Sequence, residues 1–315
     1  MGGAGHERKL SRLDRKAIRV KILLLGKNGQ VGRALQHALL PLGEVIALGH
    51  GDVDLENLAG LDETLRAVGP NIVVNAAAYT AVDRAEMEEV AAVRVNAEAV
   101  AIMADHTRRH GALLVHYSTD YVFDGRKPEP YVEMDPVNPL SVYGKSKRMG
   151  EEAIIDSSCE ALIFRTSWVY SAHGNNFIRT VLRLAREHES LDIVADQFGA
   201  PTAAELIAEI TRLAIAAHDG GALSGGIYHL AAAGETSWHG LACHVGERAR
   251  ADGVTLKVKR INAIPTEAYP RPAARPRNSR LNTAELSAKL GYRFPAWQVH
   301  VDRVIDELVA KGFSE

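Results

Sequence analysis

Residues 21–40 read KILLLGKNGQVGRALQHALL, and this stretch decides the fold. An apolar run, Lys21–Leu25, ends in Gly26-Lys27-Asn28-Gly29-Gln30-Val31-Gly32, and helical periodicity starts at once. Strands buried on both faces read as continuous apolar runs. The glycines of G-x-x-G-x-x-G permit the tight turn, let a pyrophosphate approach the backbone, and let the helix pack closely on the strand. The helix N-terminus then offers free N–H groups and the positive end of its dipole to phosphate. A glycine triplet alone is a weak signal, but between the first strand and first helix of a βαβ series it points to a dinucleotide. An acid at the end of the second strand would mark NAD by holding the ribose 2′-hydroxyl. Here that strand ends Ala47-Leu48-Gly49-His50, and Asp52 and Asp54 come slightly later. The choice between NADH and NADPH is therefore open, with His50, Lys27 or Arg33 available to meet a 2′-phosphate.

Further apolar runs follow at Glu44–Leu48, Ile72–Asn75, Ala112–Tyr117, Ala161–Thr166, Leu191–Ala195 and Ile227–Ala231. Amphipathic stretches lie between them at Gln30–Leu40, Asp62–Val68, roughly Ala85–His110, Ser141–Ile155 and Phe177–Glu187. This alternation predicts an α/β protein with a doubly wound parallel sheet, the Rossmann architecture. After about residue 170 the regularity weakens. Residues 256–281, which include PRPAARPR, hold too many prolines for a long helix or a central strand. Arg, Ser and Asn are mixed into that segment, and we read it as an ordered loop covering a site. Two helices, Thr283–Leu290 and Trp297–Lys311, close the chain.

The 315 residues are 46% hydrophobic, enough to bury a sizeable core. A formal net charge of -2 argues against a nucleic-acid partner, which demands a basic face. Cys159 and Cys243 form no CxxC pair, which fits a reducing, cytoplasmic setting. No apolar run approaches the roughly 20 residues of a membrane helix. Residues 1–19 are rich in basic side chains with no apolar run behind them, so they read as a flexible tail and not as a secretory signal.

The segment Pro139-Leu140-Ser141-Val142-Tyr143-Gly144-Lys145-Ser146-Lys147 carries the chemistry. Tyr143 and Lys147 are four apart and share a helix face. A tyrosine titrates near 10 when unperturbed, and a nearby ammonium is expected to lower it toward the working range. Y-x-x-x-K alone is common; the plain alternative is a surface helix. Ligands of a parallel sheet sit beyond the C-terminal ends of its strands. One strand runs out in Tyr117-Ser118-Thr119-Asp120, which places Thr119 to hydrogen-bond a substrate carbonyl. Another ends in Asn75-Ala76-Ala77-Ala78, whose small side chains leave room for a cofactor. Three strand ends and one helix thus converge on one crevice.

With these residues in place, the sequence resembles the extended short-chain dehydrogenases/reductases. Within them it is similar to the dTDP-4-dehydrorhamnose reductase family over roughly residues 21–312. The resemblance rests on GKNGQVG at 26–32, VVNAAAYTAVDRAE at 73–86, HYSTDYVFDG at 116–125 and NPLSVYGKSK at 138–147. FRTSWVY at 164–170, GNNF at 174–177 and DQFGAPT at 196–202 complete it. It implies an NAD(P)H-dependent reduction of a 4-keto sugar nucleotide. Tyr143 would protonate the C4 oxygen, Lys147 would bind the nicotinamide ribose, and Thr119 would hold the same oxygen. Gly26, Gly29, Gln30, Val31 and Gly32 would cradle the pyrophosphate, and Asp54 and Leu55 would lie by the adenosine. Ala76, Ala77, Ala78 and Tyr117 would line the cofactor cleft. Asp120, Trp168 and Asn176 would contact the substrate, with the loop around Arg275–Asn282 covering its nucleotide part. Residues 20–170 and 206–250 would form the dinucleotide-binding domain. Residues 171–205 and 251–315 would form the sugar-nucleotide region.

Some members of that family are described as using a magnesium ion held by glutamates at a homodimer interface. The first of those positions is Ala34 here, and a later one corresponds to Glu205. No metal ligand is therefore assigned, and a magnesium requirement and a homodimer stay open. Rival readings are a nucleotide-sugar epimerase or dehydratase of the same superfamily, or a non-catalytic regulatory subunit on this fold. A dehydratase would place a Glu after the Thr-Asp pair, where this chain has Tyr121. His106 and His110 read as a surface helix pair, and Glu86, Glu88 and Glu89 as a solvated face.

Overall fold

The apolar runs at Lys21–Leu25, Ile72–Asn75, Leu113–Thr119 and Ala161–Thr166 become strands because they bury nearly every side chain inside a layered molecule. The computed structural model describes residues 20–312, so the expected tail at 1–19 lies outside the described residues. The strands are β1 (Lys21–Leu25), β2 (Glu44–Leu48), β3 (Ile72–Asn75), β4 (Leu113–Thr119), β5 (Ala161–Thr166) and β6 (Val169–Tyr170). They continue as β7 (Ser190–Val194), β8 (Phe198–Gly199), β9 (Thr202–Ala203), β10 (Gly226–His229), β11 (Thr236–Ser237) and β12 (Arg260–Ile264).

Six of these form the central sheet in the order β10-β5-β4-β3-β1-β2. Every pairing within it is parallel. The order turns back at β1, which lies between β2 and β3. Such a reversal opens a crevice beyond the carboxyl ends of the flanking strands. Alternate residues of β1 face opposite layers. Ile22 and Leu24 pack with Leu35, Leu39 and Leu206, while Leu23 and Leu25 pack with Leu61, Leu65 and Met103. The helices Gln30–Ala38 and Ala204–Asp219 thus cover one face. Leu58–Val68, Ala99–His110 and Val142–Ser157 cover the other. No helix among the described residues is long and apolar enough to cross a membrane.

Three expectations need correction. The run at Leu191–Ala195 joins no central sheet; β7 is half exposed and pairs with β12 in a separate parallel pair. β12 begins inside the proline-rich segment and stops before Pro265, whose ring nitrogen has no hydrogen to donate. The stretch at Ala85–His110 is also not one regular helix. Short helices at Val82–Ala85 and Glu89–Val93 lead into a π turn at Arg94–Glu98 and then Ala99–His110. His106 is buried rather than on a surface face, and its imidazole is held below its usual range by that burial.

Candidate active site

The glycine loop, the ends of β3 and β4, and the helix Val142–Ser157 border one cavity of about 750 Å³. Gly26, Gly29, Gln30 and Val31 line it with Asp54, Leu55, Ala76, Ala77, Ala78 and Tyr117. Thr119, Asp120, Tyr143, Lys147 and Trp168 line it as well. Gly26 has φ +88°, and a Cβ there would stand 2.7 Å from the Ala76 carbonyl carbon. A Cβ on Gly32 would stand 2.0 Å from the Gly26 oxygen, so Gly32 sits behind the loop and lets the helix approach. Of the three basic candidates, Lys27 pairs with Asp52 at 2.6 Å and the Arg33 Nε–H donates to the Asn28 carbonyl. His50 lines the cavity, 3.6 Å from Asp54.

Asn176 is placed otherwise than expected. Its Oδ1 accepts from the Arg179 N–H and caps the helix Phe177–Glu187, and its Nδ2 donates to Gln30 Oε1 at 3.0 Å and to the Ser171 carbonyl. Its neighbour Asn175 lines the cavity instead.

The helix of Tyr143 is fixed at its start by two side chains. Ser141 Oγ accepts from the Gly144 N–H, and Glu86 Oε1 accepts from the Val142 N–H at 2.9 Å. Glu86 is therefore a structural acceptor and not part of a solvated face; Glu88 likewise accepts from the Tyr79 hydroxyl and pairs with Arg84. Burial pushes the Tyr143 phenol up to about 12, with the Thr119 side chain beside it pulling the other way. The net shift is upward, opposite to the lowering expected from Lys147. Lys147 is itself buried, and its Nζ sits 3.1 Å from His116 Nε2. Burial lowers its ammonium to about 8, with Glu151 opposing.

Asp120 is 3% exposed. Burial raises its carboxyl to about 7, while hydrogen bonds from Ser279 and Thr119 hold it down. Oδ1 accepts from the Thr119 hydroxyl at 3.0 Å, and Oδ2 has no hydrogen-bond partner among the described residues. A buried acceptor left open beside a cavity is placed to take a donor from a ligand. Thr166 Oγ, also at the cavity wall, is open in the same way.

Trp168 adopts φ +49°, an uncommon conformation for a residue with a side chain. Its ring stacks on Trp238 with centroids 3.6 Å apart and planes at 10°. Gly199 leaves room for it, since a Cβ there would lie 2.6 Å from the Trp168 ring. Trp238 escaped the sequence reading: it opens a helix far along the chain, and an aromatic at that position reads as core.

The loop expected to cover a site is ordered. Arg275 pairs with Asp83 at 2.8 Å and stands near Tyr121, whose ring meets the Tyr143 ring edge-on. Asn278 Nδ2 donates to the carbonyls of Lys127 and Glu129, and Ser279 reaches Asp120. Among the described residues no cluster of three or more His, Cys, Asp or Glu side chains is arranged to hold a metal ion.

Known proteins are similar to this chain over most of its length. The family described as the RmlD substrate binding domain matches residues 20–310. A dTDP-4-dehydrorhamnose reductase of Shigella flexneri is 48% identical, over 92% of this chain and 98% of that protein. A crystal structure of a dTDP-4-dehydrorhamnose reductase from Clostridium acetobutylicum superposes with a TM-score of 0.84 at 35% identity, covering 92% of this chain and 99% of that one. The enzyme of that name from Bacillus anthracis, solved in complex with NADP, superposes with a TM-score of 0.83 at 32% identity, covering 92% and 100%. The chain belongs to the RmlD substrate binding domain family, among the dTDP-4-dehydrorhamnose reductases.

Proposed function

We propose that this chain catalyses the NAD(P)H-dependent reduction of dTDP-4-dehydro-L-rhamnose to dTDP-L-rhamnose, with Tyr143 as proton donor. The observation that carries this reading is the convergence of Thr119, Asp120, Tyr143 and Lys147 on the cavity that the glycine loop borders. The fit to a dinucleotide rests on that loop, where side chains on Gly26 or Gly32 would collide with backbone. Gly29, Gln30 and Val31 would hold the pyrophosphate, Asp54 and Leu55 the adenosine side, and Lys147 the nicotinamide ribose. A nicotinamide bound there supplies the hydride.

The remaining chemistry belongs to the side chains. With its phenol near 12, Tyr143 is protonated at neutral pH and ready to act as an acid. It gives its proton to the C4 oxygen of the keto sugar, and the Thr119 hydroxyl would hold the same oxygen. The open Oδ2 of Asp120 accepts a sugar hydroxyl. The flat pair Trp168 and Trp238 offers an aromatic face to the nucleotide base. Residues 20–170 and 206–250 would then bind the dinucleotide, and 171–205 with 251–315 the sugar nucleotide. The unpaired cysteines agree with a cytoplasmic setting.

The test is nicotinamide absorbance on adding dTDP-4-dehydro-L-rhamnose, with NADPH and then NADH. Stoichiometric oxidation of either is the expected result, and the faster cofactor settles the preference. A protein that binds the cofactor and never oxidises it overturns the proposal.

A further inference from the structure

Behind Lys147 lies a buried chain of polar groups that the reaction as described does not use. His116 stands on β4 opposite Asn75 of β3, and both are 1% exposed. Lys147 is equally buried. His116 Nε2 lies 3.1 Å from Lys147 Nζ, and His116 Nδ1 lies 3.2 Å from Asn75 Nδ2. Asn75 Oδ1 accepts the backbone N–H of Ala77, so its amide is fixed with Nδ2 toward the imidazole.

This orientation dictates a tautomer. An amide nitrogen only donates, so His116 Nδ1 must accept. A neutral imidazole has one donor and one acceptor, which puts the proton on Nε2, facing Lys147. An Nε2–H can be accepted by a neutral amine and not by an ammonium. Burial holds His116 well below its usual range, so the imidazole stays neutral.

We propose that His116 is a positioning residue which, held by Asn75, presents Nε2–H to Lys147 and favours its neutral amine. Lys147, one turn from Tyr143, then gains and loses its proton within the working pH range. Other ionisable groups around it do not replace this control. Glu151, one turn further along the same helix, favours the ammonium but is taken up by Arg165 of β5, Arg148 and Ser118. Tyr143 and Asp120 share the cavity wall with Lys147, and β3 contributes only the neutral Asn75. The consequence for turnover rests on the reductase reading; the tautomer itself does not.

NMR on the full chain with isotope-labelled histidine and lysine reads both groups directly. Signals are assigned by their loss in His116→Gln and Lys147→Met. The unaltered protein is expected to show His116 as the Nε2–H tautomer and a Lys147 midpoint of about 8. Asn75→Leu removes the amide donor, frees His116 to carry its proton on Nδ1, and offers the Nε2 lone pair to the ammonium. The Lys147 midpoint should then rise by about one unit, a tenfold change in proton affinity. The alkaline limb of kcat/KM should move up with it. An Nδ1–H tautomer in the unaltered protein overturns the proposal, and so does a Lys147 midpoint that stays in place in Asn75→Leu. If Asn75→Leu does not fold, the tautomer of the unaltered protein decides alone. A protein with no reductase turnover removes the reductase reading and leaves the two NMR results to judge His116.

Discussion

Asp120 and Tyr143 line the same cavity, and burial raises both. For Asp120 the consequence is a stability that depends on pH. An unfolded aspartate releases its proton near 3.9. In the folded chain the same carboxyl keeps it to about 7. Between those values the native state binds more protons than the unfolded state, so stability falls as pH rises. The contribution is complete below the unfolded value and lost above the folded one. Asp120→Asn cannot ionise and lacks this dependence. Its Tm should hold level across that window relative to the parent, whose Tm declines; parallel curves would show that the carboxyl is ionised throughout. For Tyr143 the consequence is catalytic. Tyr143→Phe removes a proton that moves only in the transition state, so kcat should fall by roughly a hundred- to ten-thousand-fold with KM nearly unchanged. Steady-state kinetics with NADPH and the keto sugar nucleotide decide it; a raised KM with kcat retained would assign Tyr143 to binding.

At the scale of the element, the helix Val142–Ser157 is clamped to the sheet by charge. Glu151 is fully buried, and Arg165 of β5 grips it with Nε at 2.8 Å and Nη2 at 2.7 Å. Removing one partner of such a pair strands a buried charge and costs about 3–5 kcal/mol. Arg165→Met should lower stability by that order in a denaturant titration, and adding Glu151→Leu should restore most of it. A double variant no better than the single would place the energy in packing. The helix was legible in the sequence, since its periodicity and the four-residue spacing of Tyr143 and Lys147 are local. Its supports were not. Glu86 meets Val142 across 56 residues, and Lys147 meets His116 across 31. No local pattern pairs them. The π turn that aims Asn96 at the Tyr79 backbone and Ser146 is hidden too, because one extra residue in a turn leaves apolar periodicity almost intact. The strands β1, β2, β3 and β5 matched their apolar runs residue for residue, since each is a short apolar run whose boundaries are visible locally.

For the whole molecule, the proline-rich segment ties distant parts of the chain to the cavity wall. Its prolines rule out a long helix, and its polar side chains hold it in place instead. Arg275 reaches Asp83 on the helix Val82–Ala85 and Tyr121 beside Tyr143, while Ser279 reaches Asp120. The Arg277 carbonyl accepts from the Phe198 N–H, which joins the segment to β8 behind Trp168. The Asp83–Arg275 pair is partly exposed, and such pairs contribute about 1 kcal/mol or less to stability. Arg275→Ala should therefore leave the Tm nearly unchanged. It should also leave NADPH affinity alone, because the glycine loop lies on other elements. What it loosens is the wall that carries Tyr121 and Ser279. KM for the sugar nucleotide should rise several-fold, with a smaller fall in kcat. Thermal denaturation, NADPH titration and steady-state kinetics on this one variant separate the possibilities. A large drop in Tm would make the segment part of the core, and an unchanged KM would make it a cover without a part in recognition.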